Sequence, residues 1–220
     1  MRQTSLNMVY ELAKTNDKVV FIGSDLGPGV LENFKKNIPD RFFMEGAAEQ
    51  HIISMGCGMA KEGFIPYINT IGTFLTRRCY EQILLDTSFQ KSKVRLIANG
   101  GGLVYAPLGS THLATDDIAL MRLVPNMVIF APADSVEMEK MVLKSVNNPN
   151  PIYFRVAKGG AQELYGVTAD LCTFAKAMGN GYPIAVIAGR EDIMRCIGGD
   201  GVVHGGTFTG HSVSLSAAAK

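Results

Sequence analysis

Short runs of apolar, β-branched residues alternate with amphipathic stretches along most of this chain. The runs predict strands at 19–25, 64–69, 94–98, 127–130 and 152–154, and the stretches between them predict helices at 5–15, 47–61, 73–88 and 135–146. Continuously apolar strands separated by helices are typical of a parallel sheet that is covered on both faces. We therefore predict an α/β fold with a mostly parallel sheet, and functional residues in the loops that follow its strands.

The residue composition and the length of the apolar runs change near residue 158. A turn at 147–151 precedes the last predicted strand, so the first domain is expected to span 1–158. Residues 159–220 contain Gly-Asn-Gly and Gly-Gly clusters with only short apolar runs between them. We expect a small, irregular α/β fragment there, because so short a segment buries little apolar surface by itself.

Bulk composition excludes several classes of partner. The formal net charge is +1, which lacks the positive field that nucleic acid or an anionic membrane surface would require. The apolar runs are shorter than the roughly 20 residues of a membrane span. The polar first residues do not fit a signal peptide, so we expect a cytoplasmic protein. The four cysteines are scattered, without the C-x-x-C spacing of a zinc site or redox pair.

A carboxylate, an amide and an imidazole stand together where a helix is predicted to begin, at Glu49, Gln50 and His51. Negative charge is stabilised at a helix N-terminus, so Glu49 suits either a functional site or a simple helix cap. His51 could bind a neighbouring backbone carbonyl. Asp25, after the first strand, fits a turn as well as a site.

The segment Gly46–His51 resembles the Gly-x-x-Glu-(Gln/His) segment of the transketolase family, and deoxyxylulose-phosphate synthases in particular. The likeness continues in order through 72–77, 80–82, 109–112, 117–122, 125–127 and 131–134. The C-terminal subunit of split transketolases is similar as well. The resemblance implies the pyrimidine-binding domain of a thiamine diphosphate enzyme.

Roles for individual residues follow from that resemblance. Glu49 would hydrogen bond to N1′ of the aminopyrimidine ring and so promote removal of the thiazolium C2 proton, with Gln50 and His51 beside the cofactor. Phe74 would stack on the aminopyrimidine, although a phenylalanine at this place also suits a core.

Two further residues are implied on the substrate side. His112 corresponds to a histidine near the reacting substrate, with a loop-structuring role as the alternative. Arg122 could bind a substrate phosphate or pair with Asp117.

The family holds the cofactor's diphosphate and Mg²⁺ on another domain, through a Gly-Asp-Gly segment followed some 25 to 30 residues later by Asn. Here Gly199-Asp200-Gly201 is followed by no Asn, and we interpret it as coincidental. The resemblance thus implies a partner chain for the diphosphate and Mg²⁺, a homo- or hetero-oligomer, and ketol or aldehyde transfer on a sugar substrate. This chain alone should be inactive and should hold no metal.

The tail, through 166–184, 189–190 and 205–210, resembles class III aminotransferases such as glutamate-1-semialdehyde aminomutase. Lys176 would be the Schiff-base lysine for pyridoxal phosphate, and Thr207 would reach a cofactor phosphate. The acidic partner of the pyridine nitrogen, expected 25 to 30 residues before Lys176, is missing. Two alternatives therefore stay open: a pyridoxal phosphate-dependent fragment, or an inactive gene fusion of two remnants joined near residue 160.

Overall fold

The computed structural model describes residues 1–24 and 29–157, together with the backbone of two further strands at 171–175 and 185–189. Contacts between Cα atoms divide the chain into two compact units, Met1–Leu164 and Tyr165–Lys220. The domain boundary predicted at residue 158 stays a prediction.

The first unit alternates strands and helices. Its strands are β1 (Val19–Gly23), β2 (Phe42–Met44), β3 (Ile65–Ile71), β4 (Arg95–Asn99), β5 (Val128–Phe130) and β6 (Ile152–Val156). Its α-helices are α1 (Arg2–Thr15), α2 (Glu32–Asn37), α3 (Glu49–Lys61), α4 (Tyr80–Gln82), α5 (Asp117–Arg122) and α6 (Ser135–Ser145). Short 3₁₀ turns at Pro39–Arg41 and Ala106–Leu108 complete the connections.

All six strands form one parallel sheet in the order β2-β1-β3-β4-β6-β5. The chain passes from β1 to β2 on one side of β1, and then returns to place β3 and β4 on the other side. The direction in which strands are added therefore reverses between β1 and β3. In open α/β sheets, ligands bind beyond the carboxyl ends of the strands at such a switch point. The topology therefore places the candidate site next to the ends of β1 and β3.

Helices cover both faces of the sheet, and each face has its own core. On one face, Leu6 and Val9 of α1 and Val142 of α6 pack against Phe21 and Phe154 of the strands. On the other face, α3 and the helical residues after β3 pack against alternate strand residues: Ile52, Cys57, Leu75 and Ile83 contact Ile22, Ile68 and Leu96. This alternation is what strands buried on both faces require, and the predicted α/β fold class is confirmed.

Three features differ from the sequence-based expectation. The helix predicted as continuous over 73–88 consists of π-helical turns at Phe74–Arg78 and Ile83–Phe89 on either side of α4. The strand β2 and the helices α2 and α5 were not predicted, because elements of three and six residues show too little periodicity. In the second unit, β7 (Leu171–Ala175) and β8 (Ala185–Gly189) form an antiparallel pair.

Candidate functional site

A cavity of about 350 Å³ opens at the carboxyl edge of the sheet. Its wall comes from the ends of β3 and β4, from the segments that follow β1, β2, β3 and β4, and from the start of α1. The lining residues are Arg2, Ser24, Ala47, Glu49, Thr70, Ile71, Phe74, Asn99 and Tyr105. A volume of this size lies within the range of small-molecule sites, roughly 300 to 1,000 Å³. The cavity joins Glu49 to Phe74, two residues that are 25 positions apart in the sequence.

Glu49 is the first residue of α3, and its side chain is buried, with only 3% of its surface exposed. Its Oε2 atom accepts a hydrogen bond of 2.5 Å from Nη1 of Arg78. The N-cap residue before it, Ala48, has no side chain that could cap the helix. The helix N-terminus and Arg78 therefore both stabilise negative charge at this position.

Arg78 also covers the ring of Phe74. Its guanidinium carbon lies 4.3 Å from the centroid of that ring, a cation–π contact. The Arg78 side chain is 46% exposed, so it can move into solvent without crossing the core. Arg78 thus occupies the ring face on which a planar ligand bonded to Glu49 would stack.

His112 lies beside the same aromatic ring. The ring centroids of Phe74 and His112 are 5.1 Å apart with the planes at 66°, and Thr111 Oγ1 lies 2.9 Å from Nδ1 of His112. Arg77 anchors the loop by bonding to both carboxylate oxygens of Asp116. These contacts hold His112 against Phe74, although His112 itself does not line the cavity.

Besides His112, three of the predicted site residues do not line the cavity. Gln50 and His51 are exposed on the first turn of α3, and Nε2 of His51 lies 4.0 Å from a carboxylate oxygen of Glu45. Arg122 is exposed at the end of α5. Asp25, Lys176 and Thr207, the other residues considered from the sequence, lie outside the described residues.

The predicted alternative of an Arg122–Asp117 pair is wrong. Asp117 is buried, and its Oδ2 atom accepts hydrogen bonds from Nε of Arg155 at 2.8 Å and from the hydroxyl of Tyr153 at 3.0 Å. Both partners lie on β6, 36 and 38 residues after Asp117 in the sequence. Residue spacing along a helix therefore could not predict these contacts.

Two amide side chains at the ends of adjacent strands form a relay under the cavity. Nδ2 of Asn69 donates to the carbonyl oxygen of Ile97 at 3.1 Å. Nδ2 of Asn99 donates in turn to Oδ1 of Asn69 at 3.1 Å. Both side chains are buried, so this relay fixes the direction in which Asn99 faces.

Sequence reasoning missed Arg78 and most of the residues that line the cavity, among them Arg2, Asn99 and Tyr105. A strand-end search would have found Asn99. Tyr105 packs against the backbone at Gly100, which has φ +84° and where a Cβ atom would meet the tyrosine ring at 2.1 Å. No spacing rule predicts such a contact.

Burial, and secondly the nearby carboxylate of Glu49, raise the pKa of the Cys79 thiol to about 12. At pH 8 this leaves roughly a thousandfold less thiolate than a thiol with the ordinary pKa of 9.0 would have. We expect Cys79 to stay unlabelled by iodoacetamide in the folded chain and to react after denaturation. Peptide mass spectrometry resolves the site, and labelling of folded and denatured Cys79 at equal rates would contradict the buried environment.

Comparisons with known proteins identify the family. The sequence model described as transketolase, pyrimidine binding domain, matches residues 1–162. The chain belongs to this family. The family is one of thiamine diphosphate enzymes, and the resemblance predicted from residues 46–134 is confirmed.

Curated relatives are deoxyxylulose-phosphate synthases. The 1-deoxy-D-xylulose-5-phosphate synthase of Clostridium perfringens strain 13 is 42% identical over 152 residues, which is 68% of this chain and 24% of that protein. The synthase of Halothermothrix orenii is 36% identical over 161 residues, or 73% of this chain and 24% of that protein. The chain spans about a quarter of the length of the curated relatives it matches.

Solved structures agree. A split gene transketolase, described as an inactive beta4 tetramer, superposes with a TM-score of 0.67 and 32% identity, over 74% of this chain and 53% of that one. Transketolase from Campylobacter jejuni has the same fold, with a TM-score of 0.63 and 21% identity over 71% of this chain and 26% of that one.

A second match covers the tail. The aminotransferase class-III model matches residues 156–220, in agreement with the resemblance seen in that segment. Separately, no helix among the described residues is long and apolar enough to cross a membrane.

Proposed function

We propose that this chain supplies the aminopyrimidine-binding half of a thiamine diphosphate site for ketol or aldehyde transfer on sugars. The observation that carries the proposal is the shared cavity of Glu49 and Phe74 at the switch point of the sheet. A buried carboxylate can bind a ring nitrogen, and an aromatic face beside it can stack on the same ring. The bound cofactor would supply the carbanion chemistry.

The residues present fit such a ring, provided that Arg78 moves. Its guanidinium, a planar group with N–H donors, now bonds to Glu49 and lies over Phe74. A protonated or donor-bearing pyrimidine ring would make the same two contacts. Arg78 therefore marks where the ring binds, and its exposure allows it to turn away.

His112 is proposed to act on the substrate side, because its ring contacts Phe74, which lines the cavity. An imidazole can pass a proton to or from a sugar hydroxyl. Gln50, His51 and Arg122 lie outside the cavity. We propose for them at most contacts to parts of cofactor or substrate that extend beyond it.

A partner chain is proposed to hold the diphosphate and Mg²⁺. The support for this is a similar solved structure, a split gene transketolase described as an inactive beta4 tetramer. A chain of this kind would then associate with itself or with the partner, and would turn over substrate only in the joint assembly.

Calorimetric titration with thiamine diphosphate and Mg²⁺ tests the proposal. We expect no tight binding to this chain alone and micromolar binding once a chain with a Gly-Asp-Gly…Asn domain, encoded by a neighbouring gene, is added. Pyridoxal phosphate serves as the control ligand, because an absorbance band from Lys176 would instead favour the aminotransferase-like alternative that the tail match suggests. Absence of binding in every mixture would leave an inactive fusion remnant.

A further inference from the structure

The Asn69–Asn99 relay leaves one buried acceptor without a donor. Oδ1 of Asn99 is inaccessible to solvent and has no hydrogen-bond partner among the described residues. The whole residue is only 3% exposed, and it lines the same cavity as Glu49 and Phe74. Buried polar atoms are almost always paired, so an unpaired one calls for an explanation.

The orientation of this amide is determined by its neighbours. The carbonyl of Ile97 can only accept, so Asn69 must present its Nδ2 there and its Oδ1 to Asn99. Asn99 must then present Nδ2 to Asn69. If the Asn99 amide were flipped, two oxygen acceptors would face each other. Oδ1 is consequently the atom of Asn99 that remains for another partner.

We propose that Oδ1 of Asn99 accepts a hydrogen bond from an N–H or O–H group of the ligand in this cavity. The inference rests on the proposed function, since it concerns the same cavity. Two sources offer such a donor: the exocyclic amino group of an aminopyrimidine, and a hydroxyl group of a sugar. Asn99 is then a ligand-positioning residue, and the hydrogen bond to it increases the affinity for a ligand that carries a donor.

Binding to the full chain can be measured by ligand-observed NMR, which detects the millimolar affinity expected of half a site. The ligands are thiamine, which carries the amino group, oxythiamine, which has an oxo group in its place, and ribose 5-phosphate as the hydroxyl-bearing probe. Asn99→Leu removes the acceptor, whereas Asn99→Asp keeps an oxygen acceptor. Both variants lose the donor to Asn69, so a folding cost from that loss is common to both.

We expect Asn99→Leu to weaken thiamine binding about fivefold, which is the effect of losing one neutral hydrogen bond. The binding of oxythiamine to Asn99→Leu should not change. Asn99→Asp should bind thiamine as the wild type does. This pattern assigns the donor to the amino group. Weakening of ribose 5-phosphate alone also supports the acceptor role and assigns the donor to a sugar hydroxyl.

Two results would overturn the inference in distinguishable ways. If wild-type and Asn99→Leu chains bind thiamine and ribose 5-phosphate equally, Asn99 has no ligand contact, while the proposed function still stands. If the wild-type chain binds neither thiamine by itself nor thiamine diphosphate in the complex with its partner chain, the proposed function itself fails and the role of Asn99 fails with it. If circular dichroism shows that Asn99→Leu is unfolded, Asn99→Asp is used in its place. The preference of Asn99→Asp for thiamine over oxythiamine must then match that of the wild type.

Discussion

Replacing Glu49 by glutamine is expected to slow exchange of the thiazolium C2 proton at least a hundredfold in the complex of this chain with its partner. Glutamine has the shape of glutamate but cannot take up a proton, so it cannot shift one to or from the pyrimidine ring. Loss of a positioned acid–base group costs 10²- to 10⁴-fold. The measurement is hydrogen–deuterium exchange at C2, followed by NMR of the bound cofactor.

The control for this variant is Glu62→Gln, which makes the same chemical change at the other end of α3. Glu62 is exposed and follows the helix as its C-cap, so exchange should stay at the wild-type rate. Equal exchange rates in Glu49→Gln and wild-type complexes would remove Glu49 from the proposed role.

The fold of Glu49→Gln should survive. The amide keeps the volume of the side chain in the cavity wall, and Arg78, which is 46% exposed, can turn to water when its ionic partner is lost. Glutamine keeps an oxygen that can accept from Arg78, and the substitution leaves no uncompensated charge buried, which is the costly result of breaking a buried pair. A loss of exchange accompanied by an unchanged unfolding midpoint would therefore locate the effect in the chemistry.

The sequence predicted what depends on repeated local pattern. The run Val19–Gly23 is apolar at every position, a pattern typical of a strand that is buried on both faces. Glu49 and Phe74 were found because segments around them resemble a known family. Their convergence in one cavity is a consequence of the strand order, which local pattern alone does not determine.

What the sequence could not show depends on contacts between distant residues. Arg78, which bridges Glu49 and Phe74, ends a π-helical turn where the sequence predicts a regular helix over 73–88. Turns of this kind are common at functional sites and leave no periodic signature. The unpaired oxygen of Asn99 follows from a relay through Asn69 to the backbone of Ile97, which no one-dimensional pattern contains.

The sequence pattern also gives the wrong expectation for Arg95, because a charged residue in a central strand is expected to face solvent. It is fully buried. Its Nε and Nη2 atoms donate to the carbonyls of Ser145 and Asn148 at 2.9 and 2.6 Å, and Nη1 donates to that of Asn150 at 2.9 Å. Desolvation lowers the pKa of this guanidinium. The side chain thus holds together the end of α6 and the turn that leads into β6.

We expect Arg95→Leu to lower the free energy of unfolding by about 3 to 5 kcal/mol. The leucine leaves the part-buried carbonyls of Asn148 and Asn150 without the donor that Arg95 supplies, and it removes one of the two donors to the carbonyl of Ser145, which also accepts from the N–H of Asn148. Each group left unsatisfied costs about 1 to 3 kcal/mol before the turn relaxes. Typical domains are stable by about 5 to 15 kcal/mol in total, so this change is large. Urea titration followed by circular dichroism measures it, because the chain has no tryptophan to report by fluorescence.

Two further variants separate the hydrogen bonds of Arg95 from its charge. Arg95→Lys keeps the charge, but one ammonium group cannot copy the fork geometry, so an intermediate loss of stability is expected. Arg122→Leu, on the exposed end of α5, should stay within about 0.5 kcal/mol of wild type. If Arg95→Leu were as stable as Arg122→Leu, the carbonyls at the end of α6 would have other donors, and β6 would not depend on this side chain for its position.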